Sequence, residues 1–216
     1  MSDLFIFAII GVAMIVIITA VFIGKVISDK KVSRKYDHPY ERPEERAGRE
    51  GEYIATNIIR EALRSEDILL TNVHISYDGR EAELDNVIIN KYGVFIIEVK
   101  NYAGTIYGNA DDHTWIKCKT DPYGNSFTKS VRNPIKQVNR QVYLLAKYLD
   151  ECGFDVWVEG YAFFVQGNSP IICKEVLCSL NGIDKALHTS DRNRLSISDI
   201  ESIRDILSSS KSVIWH

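Results

Sequence analysis

The chain has 216 residues, 45% hydrophobic and 25% charged, enough for one ordinary globular domain plus an appendage. Its net charge of −3 argues against broad electrostatic binding to nucleic acid, which a strongly basic chain would favour. The cysteines Cys118, Cys152, Cys173 and Cys178 form no C-x-x-C pair. That excludes the usual zinc and redox spacings and predicts free thiols in a reducing compartment.

Residues 4–24, LFIFAIIGVAMIVIITAVFIG, carry no charged side chain, and Thr19 is the one clearly polar member. At 1.5 Å per residue such a helix spans about 30 Å, the thickness of a bilayer's hydrocarbon core. A cleaved signal peptide would need a basic start and a shorter apolar stretch, and Met1-Ser2-Asp3 has no positive charge. The run is apolar on every face, unlike a core helix with one polar side. The expectation is an uncleaved transmembrane helix with residues 1–3 outside. Lys25, Lys30, Lys31, Arg34 and Lys35 crowd its C-terminal side, so the positive-inside rule places residues 25–216 in the cytoplasm at the cell membrane. The same cations either rest on anionic headgroups or only set topology.

Residues 25–46, with Pro39 and Pro43, read as a polar linker. A helix is predicted over Gly48–Arg64, with Glu52, Ala55, Ile59 and Leu63 on one stripe. Glu52 is thus a carboxylate on an apolar face, or simply an acid favoured at a helix start. Strands are predicted at Ile68–Ile75, Glu83–Ile89 and Val94–Val99, with shorter ones at Gly104–Tyr107, Thr114–Lys119, Tyr161–Val165 and Pro170–Cys173. Asn133-Pro134 starts a second helix, with an N-cap followed by proline at the first helical position. Its apolar stripe is Ile135, Val138, Val142, Leu145 and Leu149, and Cys152-Gly153 stops it. Weaker helices are predicted around Lys174–Leu187 and Ser198–Leu207. This order suggests α/β or α+β with a central mixed sheet.

The most informative stretch runs from Glu83 to Lys100 around the turn Asn90-Lys91-Tyr92-Gly93. With Ile89 opposite Val94, Asp85 would face Glu98 and Glu83 would face Lys100, all on one face of the hairpin. Two opposed carboxylates among Val, Ile and Phe repel each other unless a proton or a cation intervenes. Carboxylate oxygens suit a hard ion such as Mg²⁺ or Mn²⁺. Lys100 on the same face can assist an attacking water or meet developing negative charge. The plain alternative is a salt-bridge ladder, Glu83 with Lys100 and the other acids solvated. A one-residue slip would undo the arrangement.

At these residues the chain resembles a NERD (nuclease-related) domain of the PD-(D/E)XK nuclease superfamily. The matching pieces are Gly48-Arg-Glu-Gly-Glu52, Glu83-Leu-Asp85, Glu98-Val-Lys100-Asn with Gly104 soon after, and Asn133-Pro134-x-x-Gln137. The resemblance covers residues 47–165, leaving 166–216 as a C-terminal extension packed on the domain. It implies a restriction-endonuclease-like α/β/α core and a divalent-metal phosphodiesterase site acting on nucleic acid, DNA before RNA. It implies Asp85 and Glu98 as metal ligands with the Val99 carbonyl as a third, Lys100 as the catalytic lysine, and Glu52 as a further acid. Gln137 would be an accessory polar group, although it lies at the edge of its helix's apolar stripe.

Tyr102, Tyr107, Trp115, Tyr123 and Phe127 either stack on bases or fill strands and core. Lys129, Arg132, Lys136 and Arg140, around the second helix start, either meet phosphates or form a solvated face. No P-loop, G-x-G-x-x-G or H-E-x-x-H is present, so no nucleotide cofactor is indicated. The functional expectation is a membrane-anchored Mg²⁺- or Mn²⁺-dependent nuclease. The alternative is a non-catalytic membrane scaffold on the same fold. A two-carboxylate glycosidase is a distant third, since it leaves Lys100 and the anchor unexplained.

Overall fold

The computed structural model describes residues 43–189, 194–209 and 213–215. The segments predicted as N-terminus, transmembrane helix and most of the linker lie outside the described residues. Among the described residues no helix is long and apolar enough to cross a membrane.

Helix α1 spans Pro43–Ala62. It starts before the predicted Gly48, so residues 43–46 are helix rather than linker; Pro43 sits at the first helical position, where its missing N–H costs nothing. Then come β1 (Ile68–Tyr77), β2 (Arg80–Asn90), β3 (Gly93–Lys100), β4 (Thr105–Tyr107), β5 (Thr114–Thr120) and β6 (Ser126–Arg132). Helix α2 (Pro134–Glu151), β7 (Val158–Phe164), β8 (Val176–Leu177), α3 (Leu180–His188), α4 (Ile197–Ser208) and β9 (Val213–Trp215) complete the chain.

Six strands form one mixed sheet in the order β8-β7-β3-β2-β1-β9. The β3–β7 and β7–β8 pairs are parallel and the remaining pairs antiparallel. On one face α1 and α3 bring Ala55, Ile59, Ile183 and Leu187 against Leu69, Ile88, Phe95 and Ile97. On the other, α2 and α4 bring Leu144, Leu145, Leu149, Ile203 and Leu207 against Leu70, Val87, Ile89, Val94 and Ile96. The result is an α/β/α sandwich with β3 near its middle. Only Lys100 of β3 is not fully buried, as expected of a strand covered on both faces. A second sheet, β4-β5-β6, is pinned to the body by Trp115, whose ring stacks on Phe164 at 6.0 Å.

Two local expectations differ, and one strand is missed. Pro170–Cys173 is not a strand: Ser169 Oγ closes a turn on Ile171, Ile172 is wholly exposed, and pairing begins only at Val176. The helix predicted from Lys174 starts at Leu180, because Ser179 caps it through Gly182 N–H. Strand β6, Ser126–Arg132, carries no alternating apolar face, so its pairing with β5 leaves no period-two signal.

Candidate functional site

The β2–β3 ladder has the predicted register from Asn90↔Gly93 to Asn86↔Ile97 and then stops. The expected pairs Asp85↔Glu98 and Glu83↔Lys100 do not form. Asp85 also drops out of the β1–β2 ladder, which passes from Thr71↔Asn86 to Val73↔Leu84. Its would-be partner, Asn72, holds a left-handed φ of 54° in the middle of β1. The pleat changes phase here. Leu70 and Val73 both enter the α2 face of the core, and so do Leu84 and Val87. Period-two alternation therefore fails across Asp85, and Glu83, next to the inward Leu84, turns away from Lys100. Glu83 lies 3.8 Å from His74 instead, so the proposed Glu83–Lys100 rung of a salt-bridge ladder is absent.

Freed from the ladder, the Asp85 carboxylate takes over part of its work. Asp85 Oδ2 accepts the Val99 N–H at 2.7 Å. The Val99 carbonyl leaves β3 on the same edge as its N–H, toward Asp85, while the Lys100 carbonyl on the other edge accepts from Val165. Glu98, 4% exposed, points to the α2 face. Its Oε1 accepts from Lys100 Nζ at 2.6 Å and from Gln137 Nε2. Its Oε2 accepts from Gln141 Nε2 at 2.6 Å.

Gln137 and Gln141 are one helical turn apart on α2, so both amides aim at the same carboxylate. Gln141 is a site residue that sequence reasoning misses. It is 3% exposed, also donates to the Glu83 carbonyl at 3.0 Å, and its Oε1 is buried with no partner among the described residues. Its signal is position: three residues after Val138 and four before Leu145, inside the apolar stripe. Asn133 sets the start of α2. Fully buried, it caps Ile135 N–H and ties the helix to the Asn109, Ala110 and Asp112 carbonyls.

Glu52 reaches the site from α1. It borders the recess lined by Asp85, Asn86, Thr56 and Arg49. The helix comes this close because Gly51 lies against Asn101, where a Cβ would stand 2.3 Å from the Asn101 Cβ. Asn101 Nδ2 also bonds the Ala47 carbonyl at 2.8 Å, fastening the end of β3 to α1.

The charges respond to one another. Burial, and then the Glu98 charge, raise the Asp85 carboxyl to about 7, against the pull of Val99 N–H and Lys100. Burial, Glu83 and Glu98 raise Glu52. Burial works to lower Lys100, but Glu98, Tyr102 and Asp85 outweigh it and hold the ammonium above the ordinary lysine value. Lys100 is therefore a fixed positive charge at neutral pH, not a proton acceptor.

Among the described residues no group of three or more His, Cys, Asp or Glu is already gathered as a metal cage. Two carboxylates and the Val99 carbonyl nevertheless offer the all-oxygen donor set a hard divalent ion takes. Burial, and then the Glu98 charge, disfavour the ionised Asp85 carboxyl, and a bound cation would offset both. The residues fit such an ion.

The aromatic candidates divide: Trp115 is fully buried core, whereas Tyr107, Tyr123 and Phe127 are 58%, 91% and 61% exposed. All four cysteines are free thiols.

The family described as "Nuclease-related domain" matches residues 47–165. An uncharacterized protein of Bacillus anthracis is 28% identical over 90 residues, 40% of this chain and 42% of that protein. The chain thus spans less than half the length of the curated relative it matches. No solved structure matches.

Proposed function

Since the chain belongs to the nuclease-related domain family, within the PD-(D/E)XK-like nuclease superfamily, we propose that it is a membrane-tethered, divalent-metal-dependent phosphodiesterase acting on nucleic acid. The observation that carries this reading is the meeting of Asp85, Glu98 and Lys100 where β2 leaves β3. Asp85, Glu98 and the Val99 carbonyl would hold Mg²⁺ or Mn²⁺. When bound, the ion supplies positive charge to the phosphate and acidifies the attacking water. Lys100, charged at neutral pH, faces the negative charge that builds in the transition state. Glu52, its carboxyl raised, stands beside Asp85 to take the water's proton. Gln137 and Gln141 keep both Glu98 oxygens in place.

The test is cleavage of DNA and RNA by the purified full chain with Mg²⁺ or Mn²⁺. Asp85→Ala and Lys100→Ala should each lose about 100-fold or more in rate, the usual loss for a transition-state charge partner. Inactivity on both polymers with both metals, or variants that cut like the wild type, would refute it.

A second reading, a non-catalytic scaffold on the membrane, draws on one observation: Glu98 is already satisfied by Lys100, Gln137 and Gln141. On that reading a Mn²⁺ titration gives no saturable binding, and Asp85→Ala changes nothing in it.

A further inference from the structure

Between the first turns of α2 and the start of β2 lies a cleft of about 650 Å³. Gln137 and Gln141, the residues that hold Glu98, form part of its lining, so the cleft opens directly beside the reacting centre. Arg132, Lys136 and Arg140 give it a cationic side, and His113 adds a further donor. Lys136 is steadied by the Asp111 carbonyl at 2.6 Å, and Arg140 spends one donor on the Glu81 carbonyl at 3.2 Å. The first turn of α2 contains no acid, so nothing there offsets the positive end of its dipole. Glu81 and Glu83 border the cleft through their backbone, whose carbonyls accept from Arg140 and Gln141, while their side chains lie on the other face of β2, Glu83 against His74. The cleft thus gathers positive charge in a chain whose net charge is −3.

Resting on the phosphodiesterase reading above, we infer that the cleft binds a single polynucleotide strand and feeds it to Asp85, Glu98 and Lys100. The backbone phosphates lie along Arg132, Lys136 and Arg140. The volume falls within the range of small-ligand pockets, about 300–1,000 Å³, room for about one or two nucleotides. Base pairing would have to open for a strand to enter, so a duplex is excluded from the cleft. Local sequestration of three cations also explains how an acidic chain binds a polyanion.

The experiment separates this from the activity. Fluorescence anisotropy of a labelled single-stranded DNA oligonucleotide is measured with the full chain in detergent and EDTA, where cleavage cannot occur. The single strand should bind at least tenfold tighter than the matching duplex. Arg132→Glu with Arg140→Glu should weaken it at least tenfold and flatten the log–log salt slope by about 1.4, two contacts at about 0.7 each. Lys174→Glu, on an exposed side chain elsewhere, should leave binding unchanged. A strand carrying 5-iodouracil, crosslinked to the wild type, needs no variant; its adducts should fall at His113 or within residues 132–141. Equal or tighter duplex binding, an unaltered double variant, or adducts confined elsewhere would each overturn the inference. A chain that binds this way but never cuts leaves the cleft standing and sinks the nuclease. A chain that cuts with undiminished affinity in the double variant does the reverse.

Discussion

Asp85 is the residue on which the site turns, and its position has a thermodynamic signature. Its carboxyl is raised from the ordinary 3.8 to about 7, chiefly by burial and by Glu98. A raised acid favours the folded state while protonated. Its contribution is complete below pH 4 and is lost as pH climbs through 7. Each tenfold change in an acidity constant corresponds to about 1.4 kcal/mol. In EDTA the melting temperature should therefore fall between pH 5 and pH 8, and Asp85→Asn should remove most of that fall. A smaller slope of the same sign remains from Glu52, which is also raised. Saturating Mg²⁺ should flatten the wild-type profile too, because a cation replaces the proton, and leave Asp85→Asn unmoved. A wild-type profile already flat in EDTA would show that Asp85 is not strained by its neighbours. Asn72, opposite Asp85, carries a further local cost in its left-handed backbone.

At the scale of elements, α1 and β3 meet at one point of close approach, and the two glycines of Gly48-Arg-Glu-Gly-Glu52 separate its causes. A Cβ on Gly51 collides with Asn101, whereas one on Gly48 meets nothing within 4 Å. Gly51→Ala should cost about 1–3 kcal/mol as overpacking and push Glu52 away from Asp85. Gly48→Ala should add up to about 1 kcal/mol through helix propensity. Urea unfolding of the two variants reads both, and equal stabilities would contradict the contact. This contact also marks the limit of what local pattern encodes. The Asn133-Pro134 cap, the apolar stripes of α1 and α2, and the turn at Asn90–Gly93 are legible in the sequence because each is set by neighbours in the chain. The register of β2 against β3 follows from that turn. The phase change at Asp85 is not legible, because it depends on Asn72 in another strand, and strict alternation wrongly puts Glu83 beside Lys100. Gln141 escapes for a similar reason. A polar residue inside an apolar stripe looks like an interruption until its partner, Glu98, is brought to it by the sheet.

For the whole molecule, the proposed cytoplasmic site and the proposed anchor at residues 4–24 impose the same orientation. On that proposal the substrate, the divalent ion and a reducing medium for free thiols would share the cytoplasm, the side to which the positive-inside rule assigns the domain from Lys25, Lys30, Lys31, Arg34 and Lys35. The cysteines report that orientation without any change to the chain. Cys152 and Cys178 are exposed on the folded domain, so they react wherever a reagent reaches them. A membrane-impermeant maleimide should leave both unlabelled in sealed, right-side-out vesicles and label both after detergent. In inverted vesicles they should label at once. The proposed anchor should also keep the chain with the membrane through alkaline carbonate washing, since an apolar run of that length is held by burial in hydrocarbon rather than by charge. Release by carbonate, with labelling in right-side-out vesicles still dependent on detergent, would reduce the attachment to the basic cluster on anionic headgroups, about 1 kcal/mol per cation. Replacing those five cations with glutamine separates the remaining cases. An inserted helix keeps carbonate resistance but loses its fixed orientation, giving labelling in both vesicle types, whereas a surface-bound chain leaves the membrane altogether.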